Sequence, residues 1–453
     1  MGTITLGQAA RWCGGLIDPK YADVAFLGAN NDTRKIQEGQ LFVALQGARD
    51  GHDYIPAAFE RGAAATLCSR KVSDYPAIIV DDPRKALGDI AREERRRIGM
   101  KVVGVTGSVG KSTTKEMICS VLSQGYRVSK TPANHNNDIG MPMAILGMGE
   151  DTEVAVLEMG MNHLREIAYL ASIALPDVAV ITNIGTMHIE HLGSQQGILQ
   201  AKLEILEGMN EDGKVILNGD DALLWNMQKQ SLIEASYFGL QNPECDYRAE
   251  NVTELPGELR FDACRGEETF PVTLCLEGIH YVSDALAAVS VGMEMGIEAA
   301  RIQAALKGFE NMAGRQEIFE AKGFTIIKDC YNAGPESMAA ALNVLGNRAA
   351  RRVAVLGDML ELGVCAPAEH YRVGRIAAEK ADILLAYGPN SSRMVSGALT
   401  GGMSNTCAKG FEKQEDMVTA MKRMVKPGDV ILVKGSRGMR MERILEQFLK
   451  EET

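Results

Sequence analysis

The residues most suggestive of chemistry form a glycine-rich run, TGSVGKS, at positions 106–112. An apolar run precedes it, so the pattern predicts a strand, a glycine turn and the first turn of a helix. Gly107 and Gly110 let the backbone approach phosphate oxygens closely, and the amides of the turn then point at the anion. Lys111 would contact the β- and γ-phosphates of a nucleoside triphosphate, and Ser112 would bind Mg²⁺.

This run departs from the full phosphate-loop pattern at one position. The pattern requires a glycine five residues before Gly110, where this chain has Val105. A glycine-rich turn with a chance Lys-Ser pair is the alternative, and the predicted strand and helix on either side disfavour it. The run indicates ATP or GTP but leaves the reaction open.

Carboxylate and imidazole side chains follow the neighbouring predicted strands. Glu158 ends a predicted strand at 154–158, where a carboxylate would lie beside the phosphate loop and could hold Mg²⁺; the alternative is an acid that faces water. His163, His188 and His191 lie in or near two strand-end loops. An imidazole can bind a divalent metal, although Mg²⁺ prefers oxygen, so metal binding and packing are equally open.

Four further residues have chemistry that depends on their place in the fold. Lys202 is interpreted, from local sequence alone, as a solvated lysine on a helix. Arg315 lies at a predicted domain junction, where it either clamps phosphate on domain closure or is a linker charge. Asp329 and Asn332 follow a predicted strand, and Asp329 could bind a ribose hydroxyl there.

The elements that must position these residues predict an α/β protein of three domains. A chain of 453 residues is too long for one core and suggests about three domains of ~150 residues. We predict a small N-terminal α/β module at 1–97, a central parallel-sheet nucleotide-binding domain at 98–312 and a Rossmann-like C-terminal domain at 313–453. The predicted strands are 41–45, 65–68, 77–80, 102–105, 154–158, 178–182, 215–218, 324–328, 353–356, 383–386 and 430–433, with helices at 84–97 and 283–295 and a β-rich stretch at 247–276.

Composition narrows the class of protein. A net charge of −11 disfavours general nucleic-acid binding but not small anionic substrates. The nine cysteines form no Cys-x-x-Cys pair, which suits a reducing compartment and argues against structural zinc. No signal-peptide pattern and no apolar run of membrane-spanning length is found, so we expect a cytoplasmic protein without membrane insertion.

Taken together, these runs resemble the Mur ligases, ATP-dependent amide ligases that build the peptide stem of the bacterial cell-wall precursor. The resemblance covers nearly the whole chain. The family's phosphate loop also lacks the early glycine. The other matching runs are NHNNDIG at 134–140, EMG at 158–160 and the segment from His188 to Lys202.

Within the family, the chain is similar to the branch that joins D-alanyl-D-alanine to UDP-N-acetylmuramoyl-tripeptide. The runs that carry this similarity are DCYNAGP at 329–335, LGDMLELG at 356–363 and KGSRGMRME at 434–442. DTRK at 32–35, LFVALQG at 41–47 and DGH at 50–52 resemble a UDP-substrate-binding module. Two departures stand out: HYVSD at 280–284 keeps His280 but loses both asparagines of His-Asn-x-x-Asn, and Gly334 replaces an asparagine.

The resemblance implies acyl-phosphate chemistry with ATP and Mg²⁺, in which the substrate carboxylate attacks the γ-phosphate and the dipeptide amine then displaces phosphate. It also implies a carbamylated Lys202 that helps to hold a second Mg²⁺. We expect a monomer. The alternatives to this ligase reaction are that of another amino-acid ligase of the family and the role of a catalytically impaired nucleotide-dependent sensor. The candidate catalytic residues are Lys111, Lys202, Glu158 and His188, and the metal ligands are Ser112, Glu158, His188 and Lys202. The nucleotide-binding candidates are Thr106, Gly107, Gly110, Lys111, Ser112, Thr113, Asn137, His280, Arg315, Asp329 and Asn332. The substrate-binding candidates are Thr33, Arg34, Gln46, Asp50, His52, Asp358, Glu361, Lys434 and Arg437.

Overall fold

The N-terminal part of the chain contains a four-stranded parallel sheet and a two-stranded ribbon. A computed structural model describes residues 3–72, 74–132 and 135–450. The ribbon pairs β1 with β2, and the sheet has the order β3-β4-β5-β6. The elements are β1 (Ile4–Thr5), α1 (Leu6–Cys13), β2 (Ala25–Phe26), β3 (Ala29–Asn30), β4 (Leu41–Val43), α2 (Ile55–Glu60), β5 (Ala65–Cys68), β6 (Ala77–Ile79) and α3 (Pro83–Ile98).

Helix α3 connects this part to the next one. Asp82 caps its first turn, and Gly99 ends it with a φ of 71°, which favours glycine. Near its end, Arg95 donates a hydrogen bond of 2.9 Å to Asp177 of the central part. The buried apolar core is continuous across the two parts, since Leu41 and Leu157 belong to one cluster.

The central part is built on a nine-stranded sheet of order β15-β14-β13-β12-β11-β10-β7-β9-β8. Its elements are β7 (Lys101–Thr106), α4 (Lys111–Leu122), β8 (Val128–Lys130), α5 (Gly140–Leu146), β9 (Val154–Glu158), α6 (Glu166–Ala174), β10 (Val178–Ile181), α7 (Ile189–Leu192), α8 (Gln195–Leu203), β11 (Lys214–Asn218), α9 (Ala222–Lys229), β12 (Ser236–Gly239), β13 (Tyr247–Leu255), β14 (Glu258–Arg265), β15 (Glu268–Leu274), α10 (His280–Glu294) and α11 (Ala299–Lys307). Along the sheet order from β8 to β13, which includes β7, neighbouring strands pair in parallel. Strands β14 and β15 are each antiparallel to the strand before them in the chain. The β-rich stretch predicted at 247–276 is thus three antiparallel strands.

The register of the central strands places their carboxyl ends together. Val105 is paired with Glu158, and Thr106 is paired with Ile181. These strands are almost entirely buried, because helices cover both faces of the sheet. The loops that follow β7, β9 and β10 therefore start along one edge.

The C-terminal part is a six-stranded sheet of order β16-β17-β21-β18-β19-β20, parallel except for β16. Its elements are β16 (Glu317–Ala321), β17 (Phe324–Asp329), α12 (Pro335–Gly346), β18 (Arg352–Gly357), α13 (Ala366–Lys380), β19 (Ile383–Tyr387), α14 (Ser391–Thr400), β20 (Ala408–Phe411), α15 (Gln414–Met424), β21 (Val430–Lys434) and α16 (Met441–Leu449). Asp329 and Lys434 are register partners at the carboxyl ends of β17 and β21.

The predicted α/β class with three α/β parts is confirmed, while the boundaries at 97 and 312 stay predictions. Within the described ranges, no helix combines the length and apolar character that a membrane crossing requires.

Candidate functional site

A cavity of about 530 Å³ lies between the central and C-terminal parts. Loops at the carboxyl ends of β7, β9, β10, β17 and β21 contribute to its wall, which is where open α/β sheets bind ligands. The sequence-predicted residues that line it are Gly110, Lys111, Ser112, Thr113, Asn137, Glu158, His188, Lys202, His280, Arg315, Asp329, Asn332 and Lys434.

The turn between β7 and α4 has two positions that only glycine fits. Gly107 has a φ of 154°, and a Cβ there would lie 1.8 Å from Thr182 Oγ1. Gly110 has a φ of 83°, and a Cβ there would lie 2.5 Å from Asp284 Oδ1. Both the backbone conformation and the close neighbours therefore exclude a side chain.

The loop after β10 holds the glycine turn in place. Asn183 Oδ1 accepts hydrogen bonds from the amides of Ser108 and Val109, at 3.1 and 3.0 Å. Thr182 Oγ1 donates to the Val109 carbonyl at 2.6 Å, and the Gly185 amide donates to Ser108 Oγ at 2.8 Å. These contacts fix the turn before any anion arrives.

Lys111 lies within this turn. Its Nζ donates to the carbonyls of Gly107 at 2.7 Å and Ser108 at 3.1 Å. Burial lowers the pKa of Lys111, because desolvation penalises the ammonium form. The Lys111 side chain therefore lies within the turn whose amides would bind phosphate.

Glu158 presents a free carboxylate oxygen at the end of β9. Its Oε1 accepts from Asn136 Nδ2 at 2.9 Å. Its Oε2 is buried and has no hydrogen-bond partner in the part of the chain that the structure describes. An unpaired buried oxygen is costly, and a cation would satisfy it.

Lys202, on α8, is buried rather than solvated, so the local interpretation is wrong. Only 2% of the residue is exposed. It forms no ion pair with any described acid, and burial together with the charge of Lys111 holds its pKa well below the ordinary value. Helical periodicity did not reveal this, because the neighbours that cover Lys202 are distant in sequence.

His188 contacts the C-terminal part, with its Nδ1 2.5 Å from Glu361 Oε2. This contact with His188 lowers the pKa of Glu361. Both residues have left-handed backbones, with φ of 65° and 63°, a strain that persists only where the surroundings enforce it. The other two histidines, His163 and His191, pack against each other with tilted rings whose centres lie 4.8 Å apart, and they do not line the cavity.

Arg315 bridges the two parts that form the cavity. Its guanidinium donates to Ser112 Oγ at 2.8 Å, at the start of α4. The same group lies over the Tyr331 ring, 4.2 Å from its centre. Arg315 is therefore placed next to the phosphate loop by residues of the C-terminal part.

The C-terminal wall, the side of the cavity that the C-terminal part contributes, carries a second polar group. Lys434 Nζ donates to Asp329 Oδ2 at 2.5 Å and to the Asn332 carbonyl at 3.1 Å. Opposite them, His280 packs on Tyr281 with ring centres 4.1 Å apart, and burial lowers the pKa of His280 to about 4.

Asp284 faces the phosphate loop and belongs to the run 280–284, which departs from the family's His-Asn-x-x-Asn pattern. Its Oδ1 accepts from Thr114 Oγ1 at 2.7 Å. Burial raises its pKa to about 7, because the carboxylate is removed from water next to few donors.

Some predicted residues lie outside the cavity wall. Thr106 is buried and donates to the Met159 carbonyl at 2.9 Å. Asp358 is 1% exposed and accepts from the backbone and side chain of Asn390, so it orders the C-terminal part. Arg437 lies at the surface, 3.4 Å from Glu442.

Three of the N-terminal substrate candidates, Gln46, Asp50 and His52, cluster together, and none of the N-terminal candidates lines the cavity. A β-bridge joins Gln46 to Asp50, and Asp50 Oδ1 lies 2.6 Å from His52 Nδ1. Hydrogen bonds from His52 lower the pKa of Asp50 to about 2. Arg34 instead pairs with Asp32 at 2.8 Å on an exposed loop next to Thr33; Asn134 of the matched run lies outside the described residues.

Several lining residues were not assigned from the sequence: Asn136, Asn183, Tyr331, Asp284 and Glu336. Asn183 directly follows a predicted strand and Tyr331 lies three residues after another, which is the signal that could have found them. Glu336 follows Pro335 at the start of α12 and carried no such signal.

Comparisons with known proteins agree along the whole chain. Residues 25–95 match the family profile described as "Mur ligase family, catalytic domain", residues 105–292 match "Mur ligase middle domain", and residues 314–437 match "Mur ligase, glutamate ligase domain". A Bacillus subtilis (strain 168) protein named UDP-N-acetylmuramoyl-tripeptide--D-alanyl-D-alanine ligase is 40% identical over 446 residues, covering 96% of each chain.

Solved structures give the same result. The crystal structure of MurF from Acinetobacter baumannii superposes with a TM-score of 0.91 at 29% identity and covers all of both chains. MurF ligase from Thermotoga maritima, in complex with ADP, superposes with a TM-score of 0.82 at 30% identity, covering 94% of this chain and 97% of that one.

Proposed function

This chain belongs to the Mur ligase family, and we propose that it joins D-alanyl-D-alanine to UDP-N-acetylmuramoyl-tripeptide at the expense of ATP, in peptidoglycan precursor synthesis. The activity is the one named in the relative that is 40% identical over 96% of both chains. The observation that carries the proposal is the single cavity in which the phosphate loop, Glu158, Lys202 and the Asp329–Lys434 pair meet.

The reaction begins with phosphoryl transfer to the substrate carboxylate. The turn amides and Lys111 contact the phosphates, and Arg315 adds a second cation from the other side of the cavity. Asp329 accepts a hydrogen bond from the ribose. The product of this step is an acyl phosphate, which the dipeptide amine attacks with release of phosphate.

The residues on the β9 side fit Mg²⁺. Glu158 offers a buried oxygen without a partner in the described part of the chain. Lys202 has a lowered pKa, and a neutral amine is the form that reacts with CO₂ to give a carbamate. Ser112, Glu158, His188 and carbamylated Lys202 would hold the ions, which neutralise phosphate charge when bound.

The remaining expectations concern where and how the chain works. All nine cysteines are free thiols, which together with ATP use fits the cytoplasm. We propose that the ligase acts as a monomer, since a single chain builds both walls of the cavity.

A single coupled assay tests the proposed function. ADP release is measured with UDP-tripeptide alone and with added D-alanyl-D-alanine, and the ligated product is identified by mass. We expect sustained turnover only with both substrates. Lys111→Ala should lower turnover by about 10²–10³-fold, since one charge clamp on the phosphates is lost. Turnover with a single amino acid instead of the dipeptide would identify another ligase of the family, and ADP binding without any turnover would identify a sensor.

A further inference from the structure

Glu336 is a cavity acid that the reaction described above does not use. It is the second residue of α12, directly after Pro335, and belongs to the C-terminal part. Its Oε1 accepts two hydrogen bonds from Thr186 of the central part, from the amide and from Oγ1, each at 3.1 Å. Its Oε2 is buried and has no hydrogen-bond partner among residues 3–72, 74–132 and 135–450.

The carboxyl group of Glu336 lies close to the phosphate loop. A Cβ on Gly185 would be 3.0 Å from its carboxyl carbon, so the glycine makes room for it. The amide of the same Gly185 donates to Ser108 Oγ within the glycine turn. One residue therefore separates Glu336 from the loop that holds the transferred phosphate.

Each of the other acids that line the cavity has at least one partner, and Glu166 accepts from the Asn162 amide at 2.7 Å. Asp329 is paired with Lys434, and Asp284 accepts from Thr114. Glu158 lies on the metal side and accepts from Asn136. Glu336 is thus the described lining acid that combines a free oxygen with a position on the C-terminal wall.

We infer that Glu336 is a further catalytic residue, which binds the incoming substrate ammonium through Oε2 and accepts its proton as the amine attacks. This inference rests on the proposed ligase reaction. Lys111, Arg315 and Lys434 also line the cavity, so an ammonium entering among these cations needs a carboxylate partner.

On the way to the amide, the substrate ammonium loses two protons. It transfers the first to Glu336 Oε2, and the freed lone pair of the amine forms the C–N bond to the acyl carbon. The C–O bond to the phosphate group breaks, and phosphate leaves with that electron pair and takes up the second proton. Glu336 then returns the proton to solvent when the cavity opens. A free α-amine has a pKa of about 7.7–8.0, so near neutral pH most of the substrate arrives protonated and needs an acceptor.

Glu336→Gln tests this role, because the amide oxygen still accepts from Thr186 while the charge and the proton acceptor are lost. Two rates are measured on each protein: ligation of D-alanyl-D-alanine, and trapping of the acyl phosphate by hydroxylamine, an amine that is already neutral near neutral pH. Glu190→Gln is the matched control, since Glu190 is an exposed acid that packs against Gly363 across the same two parts.

We expect Glu336→Gln to slow ligation by about 10²–10³-fold near neutral pH, a typical effect of losing a general base. Hydroxylamine trapping should stay within about threefold of wild type, and the ligation defect should shrink above about pH 8, where the amine is neutral unaided. The control should match wild type in both rates.

Equal losses of ligation and trapping would overturn the inference and assign Glu336 a role in holding Thr186 or in folding. Unchanged ligation in Glu336→Gln would overturn it as well. If wild type traps hydroxylamine but does not ligate the dipeptide, the proposed function fails first, and the inference fails with it.

Discussion

Lys202 shows how a residue's chemistry depends on what covers it. The buried ammonium has no described acidic partner, and the nearby charge of Lys111 further disfavours protonation. An unpaired buried charge is expensive, so the residue favours a neutral or modified form. Carbamylation replaces the cation with an anion whose oxygens can bind metal. The free Oε2 of Glu158 lines the same cavity.

We expect Lys202→Ala to cripple ligation, with partial recovery when millimolar acetate is added, because a small carboxylate can occupy the vacated space and supply oxygen ligands. Activity against acetate concentration is the measurement, and the Mg²⁺ requirement should rise in the variant. Lys229→Ala, on an exposed face of α9, is the control. Wild-type rates in Lys202→Ala, or electron density that ends at an unmodified ammonium while both metal positions are filled, would contradict the carbamate.

Asp284 makes the stability of the protein depend on pH. Its pKa rises from 3.8 to about 7 in the folded protein, so the folded state binds this proton more tightly than the unfolded chain. Stability from this group is therefore present at low pH and is lost as pH rises from about 4 to about 7.

Asp284→Asn should remove this dependence, because an amide does not ionise. We expect the melting temperature of the variant to exceed that of wild type by more at pH 8 than at pH 5, with a free-energy difference on the order of 2 kcal/mol between the two conditions. Asp212→Asn, at an exposed acid, controls for net charge. If the melting temperatures of the variant and the wild type differ by the same amount at both pH values, Asp284 does not titrate in this range.

At the scale of elements, strand hydrophobicity made much of the fold predictable. Strands β5 and β9 have the bounds that their apolar runs predicted, and most others differ by one or two residues. Two short or exposed strands were not predicted. Strand β8 has three residues with a single apolar one, and β16 is largely exposed and contains two glutamates, so neither carries a periodic signal. Contacts across the cavity, such as Asn183 with the glycine turn, depend on which loops the sheet order makes neighbours, and no local pattern encodes that.

The N-terminal cluster around His52 belongs to a loop that two short-range contacts organise. His52 lies against Asp50 and accepts a hydrogen bond from the Ser69 amide at 3.0 Å. We expect His52→Ala to raise the KM for the UDP-peptide by about tenfold or more, the scale of one charge-assisted hydrogen bond, with little change in the KM for ATP.

Steady-state kinetics in each substrate give this comparison. A point variant is preferable to deleting residues 1–97, because the core is continuous into the central part and truncation would expose it. Lys20→Ala, at an exposed lysine of the same module that pairs with Asp18 and lies over the Tyr21 ring, is the control. An equal rise in both KM values would place His52 in folding rather than in UDP recognition.

At the scale of the whole molecule, a few polar contacts hold the central and C-terminal parts together at the cavity. They join Ser112 to Arg315, Thr186 to Glu336 and His188 to Glu361. Elsewhere between the two parts, Arg348 pairs with Glu277 and Asn347 donates to Glu254. Pairs of this kind contribute little each, so the parts can separate at modest cost and admit substrates. Ligands that contact both walls would favour the closed arrangement, since they add interactions that only this arrangement offers.

We expect this closure to be required by the chemistry, because an acyl phosphate exposed to water hydrolyses before the amine reaches it. Small-angle scattering should show a smaller radius of gyration when a non-hydrolysable ATP analogue and UDP-tripeptide are both present than with either alone. Glu361→Ala removes one of the contacts between the parts. The variant should therefore need more ligand than wild type to reach the same radius of gyration. Without ligand, its radius of gyration should equal or exceed that of wild type. Glu379→Ala, on the same C-terminal part, controls for the loss of an acid. Identical dimensions with and without both ligands, at concentrations that saturate both sites by titration, would mean that the site excludes water without domain closure.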